Sequence, residues 1–410
     1  MKKIFPYIGP AGATLFLLGL SLSRVLITAG LVLMLLHPLL NDDFATFRRQ
    51  LFRNKAALLL LLLFCIILFN GIFTDNQSGF VDSVIIRLPL LFMPFALASP
   101  TYYKRKNLLF FVLVFIAGIG TAGVFTLSYF LLHYEEVMRD IQAHQPVIII
   151  GGLNHIYYSV MLAFALLASF VLLWQKWIAQ VWLRRALYLF IVLGLIFLHS
   201  LSARTGMLAF YGSLLLIVLY IAFMKKRYLT GIASVAALGG MLLLAFWFVK
   251  PFQARVQQSM QDISVFVKGE DINQYSISMR LAAWEVSGRL FLEHPVFGTG
   301  IADLRTEMED GFDTYYPALA PNSRHLPHNQ FLIFLAGAGL TGFLVFVGVY
   351  FFPLFLRHTS HNFLFLTLWL VLFFALMAEA MLERQVGVSF FAFFWILLSG
   401  SPLKNEAVKI

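Results

Sequence analysis

Long apolar runs separated by short polar segments make up most of the chain. A membrane-spanning helix needs about 20 mostly apolar residues. Twelve segments fit this pattern: 5–22, 24–40, 56–73, 80–99, 107–132, 153–174, 185–201, 206–223, 229–249, 328–355, 362–381 and 387–403. The pattern predicts an all-α polytopic membrane protein with about 12 transmembrane helices. Basic residues precede the first run, as in a signal peptide, but no clear small-residue cleavage site follows, so we interpret this run as the first span.

One connection is much longer than the others. Residues 250–327 form a 78-residue polar segment between the ninth and tenth spans, and loops of this length usually carry structure or function. An apolar pattern at helical spacing, with Ser276 or Ser278 as a possible cap, predicts an amphipathic helix that lies along the outer face of the membrane. The residues of that pattern are Ile277, Leu281, Trp284, Gly288 and Phe291.

The predicted spans divide the chain into three parts. Residues 1–249 contain spans one to nine, residues 250–327 form a long helical loop on the outer side, and residues 328–410 contain spans ten to twelve with a short cytoplasmic tail.

Composition excludes several classes of protein. Hydrophobic residues make up 60% of the 410 positions and charged residues 12%, whereas a soluble domain carries roughly 25% charged residues. A water-soluble fold of this size has no room to bury so much apolar surface. A soluble enzyme, a disordered protein and a disulfide scaffold are therefore excluded. With Cys65 as the single cysteine, a disulfide framework or a cysteine zinc cluster is also excluded.

The basic residues sort to one side of the predicted membrane when the N-terminus is placed inside. The inner loops then hold 18 of the 30 basic residues and only three acidic ones, a net +15, which leaves −5 for the rest of the chain. This asymmetry predicts cytoplasmic termini, so the overall +10 indicates membrane orientation and not nucleic-acid binding. The inner basic residues are Lys2, Lys3, Arg48, Arg49, Arg53, Lys55, Lys104, Arg105, Lys106, Lys176, Arg184, Arg185, Lys225, Lys226, Arg227, Arg357, Lys404 and Lys409.

Three arginines on the outer side are candidates for binding an anion. Arg87 lies inside the fourth span, where an arginine costs about 2.5–3.5 kcal/mol; it either binds substrate, forms an internal ion pair or snorkels to the headgroups. Arg204 lies at the start of the eighth span, where free helix N–H groups favour phosphate; the alternative is an interfacial anchor. Arg280 heads the outer helix and faces either a lipid-borne anion or the ring of Trp284, one turn later.

His328 is a candidate general base. It opens the tenth span after Pro327, which suits a first helical turn. The positive end of the helix dipole disfavours imidazolium, so we expect a lowered pKa and a proton-accepting ring. His325 lies three residues earlier, but no nearby carboxylate or cysteine completes a metal site.

The remaining outer charges receive simpler interpretations. We expect Glu379 and Glu383, near the outer end of the eleventh span, to pair with Arg384; orienting a histidine or arginine is the alternative. Four outer basic residues have polar neighbours and are expected to be solvated loop residues: Arg139, Arg255, Lys268 and Arg305.

Three segments, in order, resemble the motifs of bacterial O-antigen ligases. The segment at 200–206, S-L-S-A-R-T-G, is similar to S-x-S-R-x-G, although Ala203 separates Ser202 from Arg204. Residues 280–284 and 294–300 resemble an R-L-x-x-W and a P-x-x-G-x-G region. His328-Asn329, nine residues and then Gly339-Leu-Thr-Gly342 resemble the last motif, which ends in G-x-x-G. The motifs cover about 200–345, and the span pattern with its long outer loop covers the whole chain.

The resemblance implies a GT-C-like fold and a metal-independent, inverting glycosyl transfer at the periplasmic face of the bacterial inner membrane. The donor would be O-antigen on undecaprenyl pyrophosphate, and the acceptor a hydroxyl of lipid A–core oligosaccharide. His328 would be the base, and Arg204, Arg280 and Arg87 would bind the pyrophosphate. Four motif residues would support the site: Asn329, Trp284, Gly339 and Gly342. No cofactor is expected.

Alternative functions stay open at this point. O-antigen polymerases and protein O-oligosaccharyltransferases share these motifs, although the short C-terminal tail resembles the ligases more closely. A transporter of lipid-linked sugar would also need many spans and intramembrane arginines, but it would be expected to show two related halves, and no repeat is visible.

Overall fold

The computed structural model describes residues 5–142, 149, 152–201, 203–356, 359 and 362–400. Every regular element in these residues is helical, which confirms the all-α prediction. The α-helices are α1 (Phe5–Leu22), α2 (Arg24–Asn41), α3 (Phe44–Arg53), α4 (Lys55–Asn70), α5 (Gln77–Ala96), α6 (Arg105–Leu132), α7 (Tyr134–Gln142), α8 (His155–Trp174), α9 (Val181–Leu201), α10 (Arg204–Met224), α11 (Tyr228–Phe248), α12 (Lys250–Lys268), α13 (Ser276–Glu293), α14 (Leu304–Tyr315), α15 (Gln330–Phe351), α16 (Phe363–Ala378) and α17 (Gln385–Ser399).

The predicted spans coincide with apolar helices. Eight of the described helices are long and apolar enough to cross a membrane, and the bent pair α3–α4 gives a ninth candidate. Three predicted spans correspond to the shorter apolar helices α1, α16 and α17. A polytopic membrane protein is therefore supported, whereas the count of twelve spans stays a prediction.

The bend between α3 and α4 was not predicted from the sequence. The two helices meet at 81°. Asn54 ends α3 and caps α4, because its side-chain oxygen accepts a hydrogen bond from Ala57 N at 3.2 Å. Phe44 and Phe52 are exposed on α3, at 75% and 61%. A short amphipathic helix at this angle to a span is typical of one that lies in the membrane interface.

Contacts between aromatic and basic side chains bring several predicted inner loops to one end of the bundle. The Arg105 guanidinium lies 5.0 Å from the Trp177 ring, and Lys225 lies 5.6 Å from the Trp174 ring. Trp174 in turn contacts Phe363 edge-on at 4.9 Å. These residues agree with the sorting of basic loops. Five other residues of that sorting lie outside the described residues: Lys2, Lys3, Arg357, Lys404 and Lys409.

The long connection folds into α12, α13 and α14. Both α12 and α14 pack on α13, and α13 and α14 pack on α15. The predicted helix is confirmed as α13. A face of small and aliphatic residues next to the predicted apolar face is buried in a second core, whereas the position of the helix along the membrane stays a prediction. The buried residues of α13 are Ser278, Ala282, Ala283, Val286, Ser287 and Leu290.

The predicted serine caps of α13 are wrong. Tyr275 precedes the helix, and the side-chain cap comes from α12: the Asp262 carboxylate accepts a hydrogen bond from Ile277 N at 2.9 Å. Ser278 instead donates to the Asp262 carbonyl at 2.6 Å. The start of α13 is therefore fixed by its neighbour and not by its own sequence.

Helix α15 is broken at Gly339, whose φ of 62° and ψ of −166° are not helical. The segment 295–300 crosses the helix at this break. Thr299 N and Gly300 N donate to the carbonyls of Ala336 and Gly337, both at 2.9 Å. From the other side of the break, Leu340 N donates to the Pro295 carbonyl at 2.9 Å.

This crossing satisfies backbone groups that the break frees. Non-helical backbone within an apolar bundle is tolerated only where its N–H and C=O groups find partners inside the protein. A Cβ added at Gly339 would overlap the backbone of Val296 and lie 2.5 Å from Gly298 N. The G-x-x-G and P-x-x-G-x-G motifs are therefore two halves of one structural unit.

Replacing Gly339 with alanine should destabilise the protein by about 2 kcal/mol or more, because the new Cβ meets backbone at a positive φ. Gly348 in the same helix is the matched control, since a Cβ there meets nothing within 4 Å. Thermal unfolding in detergent should show a lowered Tm for Gly339→Ala and a Tm within about 1 °C of wild type for Gly348→Ala. Equal Tm values for the two variants would contradict this account of the break.

Candidate functional site

The site is centred on the carboxylate of Glu379, which follows the end of α16 and is 7% exposed at its side chain. Its Oε1 lies 3.1 Å from His328 Nδ1, and its Oε2 lies 3.8 Å from Arg280 Nη2. One buried acid thus joins the candidate base to a candidate phosphate-binding arginine. The expectation that Glu379 pairs with Arg384 is wrong; the alternative, orienting a histidine and an arginine, fits the geometry.

The contact with Glu379 also bears on which ring nitrogen of His328 can accept a proton. If the Nδ1 atom donates to the carboxylate, Nε2 is the atom left to accept a proton. His328 is 29% exposed and has a φ of 45°. It precedes α15, because Asn329 is the N-cap residue and its oxygen accepts from Phe331 N at 3.0 Å and Leu332 N at 3.2 Å. Pro327 therefore lies before the helix and not in its first turn, which corrects the prediction.

Arg204 is the first residue of α10 and is held by the buried Asp262 of α12 at 3.2 Å. Asp262 is 1% exposed and also caps α13. Arg204 Nε and Nη2 are buried and have no hydrogen-bond partner among the described residues. An arginine with unused, buried donors is poised to bind an anion. Ser202, from the same motif, lies outside the described residues.

Arg280 and Arg204 are close enough to influence one another. Burial lowers the pKa of Arg280, Glu379 opposes that shift, and the charge of Arg204 lowers the pKa further. The guanidinium stays protonated, since arginine does not lose its proton in proteins. Arg280 and Arg204 therefore form an electropositive patch, and a bound diphosphate would reduce the repulsion between the two guanidinium groups.

Arg255 belongs to this patch, and its interpretation as a solvated loop residue is wrong. Burial lowers its pKa, and the charge of Arg204 lowers it further. Arg204 and Arg255 lie at a groove between α10, α11 and α12 with a volume of about 250 Å³. Its other walls are mostly apolar: Met207, Leu208, Tyr211, Leu242, Phe252, Val256 and Ser259.

Arg87 is 1% exposed and forms an ion pair with Glu383, which was also expected to pair with Arg384. It additionally donates to the Ser83 carbonyl at 3.0 Å. Gln330 donates to the same glutamate at 3.3 Å and accepts from Leu382 N at 2.7 Å. Of the interpretations left open for Arg87, this geometry favours the internal ion pair.

The other motif residues have structural contacts. Trp284 donates from its indole N–H to the Pro327 carbonyl at 2.5 Å, next to His328. Arg280, for which a cation–π contact with the Trp284 ring was one expectation, pairs with Glu379 instead. Gly342 is buried, and a Cβ added there would lie against Ala338 and 3.7 Å from Ile66 of α4. Trp284 therefore links α13 to the segment before α15, and Gly342 leaves room for the side chain of Ala338 in the same helix.

The two outer histidines contact one another. The His325 and His328 rings meet edge-on, with centroids 5.8 Å apart. Burial lowers the pKa of His325, and the nearby charges of His328, Arg305 and Arg280 lower it further. Within the described part of the chain, no three side chains of His, Cys, Asp or Glu are grouped as a metal site.

Residues 189–347 match the family model described as O-antigen ligase. This match supports membership of the O-antigen ligase superfamily. The matched region includes Arg204, Arg280 and His328, whereas Arg87, Glu379 and Glu383 lie outside it. No curated protein matches the chain with significant similarity.

The structure brings together more residues than the superfamily motifs indicate. It joins His328, Arg280 and Arg204 at one end of the bundle through Glu379 and Asp262. The sequence carried no signal for Asp262, and Arg255 was expected to be solvated; both residues lie in the long loop outside any motif. For Glu379 a signal existed, since an acid at the end of an apolar run needs a partner.

Arg87→Met should destabilise the protein by about 3 kcal/mol or more, because it leaves Glu383 without its guanidinium partner. Adding Glu383→Gln should recover part of that loss, since a neutral amide still accepts from Gln330. Thermal unfolding of the single and double variants measures both effects. A double variant no more stable than Arg87→Met alone would count against a structural ion pair.

Proposed function

We propose that the protein transfers O-antigen polysaccharide from undecaprenyl pyrophosphate to a hydroxyl of lipid A–core oligosaccharide. The observation that carries this proposal is the joining of His328 to Arg280 through Glu379, beside Arg204 with its unused donors. The superfamily supplies the class of lipid-linked substrate.

The donor site combines the two features that a lipid diphosphate requires. Arg204 and Arg255 offer guanidinium groups at the groove between α10, α11 and α12, and the apolar walls suit the first part of a polyprenyl chain. Arg280 adds a third positive charge from α13. Fixed cations stabilise the negative charge that develops on the leaving diphosphate, which is the part a metal plays in other enzymes.

The acceptor hydroxyl attacks the anomeric carbon from the face opposite the diphosphate. As the new carbon–oxygen bond forms, the bond between sugar and phosphate breaks, and undecaprenyl pyrophosphate leaves. His328 takes the hydroxyl proton, and Glu379 stabilises the imidazolium that results. A single displacement of this kind inverts the anomeric centre.

Membrane orientation follows from the charge asymmetry. The candidate site lies at the end of the bundle opposite the basic loops that contain Arg105 and Lys225. By the positive-inside rule that end faces the periplasm of the bacterial inner membrane. Both lipid-linked substrates would then reach the site from the membrane.

The function is tested with purified protein, lipid-linked O-antigen and a chelator in excess. One reaction contains lipid A–core, and the other contains a second lipid-linked repeat. Extension of lipid A–core supports the proposal, whereas extension of the second repeat alone would identify a polymerase. Activity that returns only on addition of a divalent ion would overturn the metal-free mechanism.

His328→Ala should lower kcat by about 10²–10⁴-fold, because the acceptor loses its base. Glu379→Gln should lower kcat at least about tenfold, since a neutral amide no longer stabilises the imidazolium that forms when His328 takes the proton. His294→Gln, at an exposed histidine, is the control. Full activity of His328→Ala at all pH values would remove it as the base.

Arg280→Gln should reduce kcat by about 10²–10³-fold and weaken donor use even at saturating acceptor. Arg204→Gln should do the same, whereas Arg204→Lys, which keeps the charge, should retain more activity. Arg289→Gln is the matched control on α13, because Arg289 is exposed and pairs with Glu285 of its own helix. An unchanged dependence on donor concentration would remove Arg204 and Arg280 from the diphosphate site.

A further inference from the structure

A second cavity lies at the end of the bundle away from the candidate active site. Its volume is about 470 Å³. It is formed where the α3–α4 junction meets the connection between α5 and α6 and the end of α17. The described residues that line it are Gln50, Arg53, Asn54, Lys55, Pro100, Tyr103, Lys104, Leu356, Ser399 and Gly400.

The cavity is strongly electropositive. Arg53, Lys55 and Lys104 line it, and no acidic side chain lines it among the described residues. Two helices also start here, since α4 begins at Lys55 and Lys104 directly precedes α6. Their free N–H groups add partial positive charge to the three full charges. A bound anion would reduce the mutual repulsion of these groups.

The wall of the cavity is held in place by a buried amide. Asn54 is 6% exposed, and its Nδ2 donates to Tyr103 Oη at 3.2 Å and to the Ile396 carbonyl at 3.1 Å. These bonds tie the α3–α4 junction to the α5–α6 connection and to α17. The basic side chains therefore project from a fixed frame and not from a loose surface loop.

The cavity adjoins a helix of the kind that lies at the level of lipid phosphates. Arg53 is the last residue of α3, which lies at 81° to α4 and exposes Phe44 and Phe52. A helix of this kind lies in the interface between headgroups and acyl chains. Basic pockets at this level between membrane helices bind anionic headgroups.

We propose that the cavity framed by Arg53, Lys55 and Lys104 binds a phosphate group carried by an anionic lipid headgroup. The site is separate from the diphosphate site around Arg204, which lies at the other end of the bundle. A bound headgroup joins the start of α4 to the α5–α6 connection and so stabilises the protein. A soluble phosphate compound has the same chemistry, and the experiment separates the two sources.

The test uses the full chain purified in detergent, with phosphatidylglycerol, phosphatidylcholine or inorganic phosphate as the probe. Lipid retention is measured by native mass spectrometry, and Tm by thermal unfolding. The variant is Arg53→Gln/Lys55→Gln/Lys104→Gln. Its matched control, Arg184→Gln/Arg185→Gln/Lys226→Gln, makes the same change in charge at exposed positions predicted to face the same side.

Wild type and control should retain phosphatidylglycerol in preference to phosphatidylcholine and gain in Tm. The cavity variant should bind phosphatidylglycerol roughly 10- to 100-fold more weakly, given the contribution of three basic residues near an anionic surface. Displacement of the lipid by millimolar inorganic phosphate would support a phosphate site with a soluble occupant, and no displacement would support the lipid.

Two results would overturn the proposal. Equal phosphatidylglycerol retention by the cavity variant and the control would show that these three residues form no site. Equal retention of phosphatidylcholine by wild type would show that the cavity does not select an anion. A variant with Arg53→Lys/Lys55→Arg/Lys104→Arg keeps the charges and should restore binding, which separates loss of charge from loss of fold.

Discussion

A carboxylate that is taken out of water must be paired, and in this protein that requirement organises the functional end of the bundle. Glu379 is a buried acid at the end of α16. The segment before α15 places His328 Nδ1 3.1 Å from its Oε1, and α13 places Arg280 Nη2 3.8 Å from its Oε2. The helices of the long connection are thereby docked onto the spans. Asp262 does the same for Arg204 and the start of α13.

These two acids have a second effect. Each contacts only one nitrogen atom of a candidate functional residue. Glu379 engages one ring nitrogen of His328, and Asp262 engages one nitrogen of Arg204. Arg204 Nε and Nη2 have no hydrogen-bond partner among the described residues. In the proposed reaction these donors bind the diphosphate while the side chain stays paired, a form of preorganisation that lowers the reorganisation needed.

The glycine motifs act through the backbone and not through chemistry. At Gly339 the ladder of α15 is interrupted, and the segment 295–300 supplies the missing hydrogen bonds. Only residues without a Cβ allow the two backbones to approach so closely. Because α15 follows directly from His328, the crossing also fixes the position of the candidate base relative to α13.

The sequence predicted the helices well because the apolar runs are long and the requirement to span a membrane is strict. It also indicated Arg204, Arg280 and His328 as candidates, since polar residues between apolar runs stand out; their functional roles stay predictions. It failed for the buried face of α13, where small residues pack between helices and carry little hydrophobic signal. It also failed for the partners of Glu379 and Glu383, because a partner in space leaves no mark in local spacing.

The pair between Arg87 and Glu383 joins residues that are 296 positions apart in the chain. During synthesis at about 5–20 residues per second, roughly 15–60 s separate the appearance of the two side chains. Throughout that time the membrane holds a buried arginine without its final partner. The charge of Arg87 on α5 is therefore neutralised only when the segment between α16 and α17 has been made. The end of the bundle with the candidate site is assembled only when nearly the whole chain has been made.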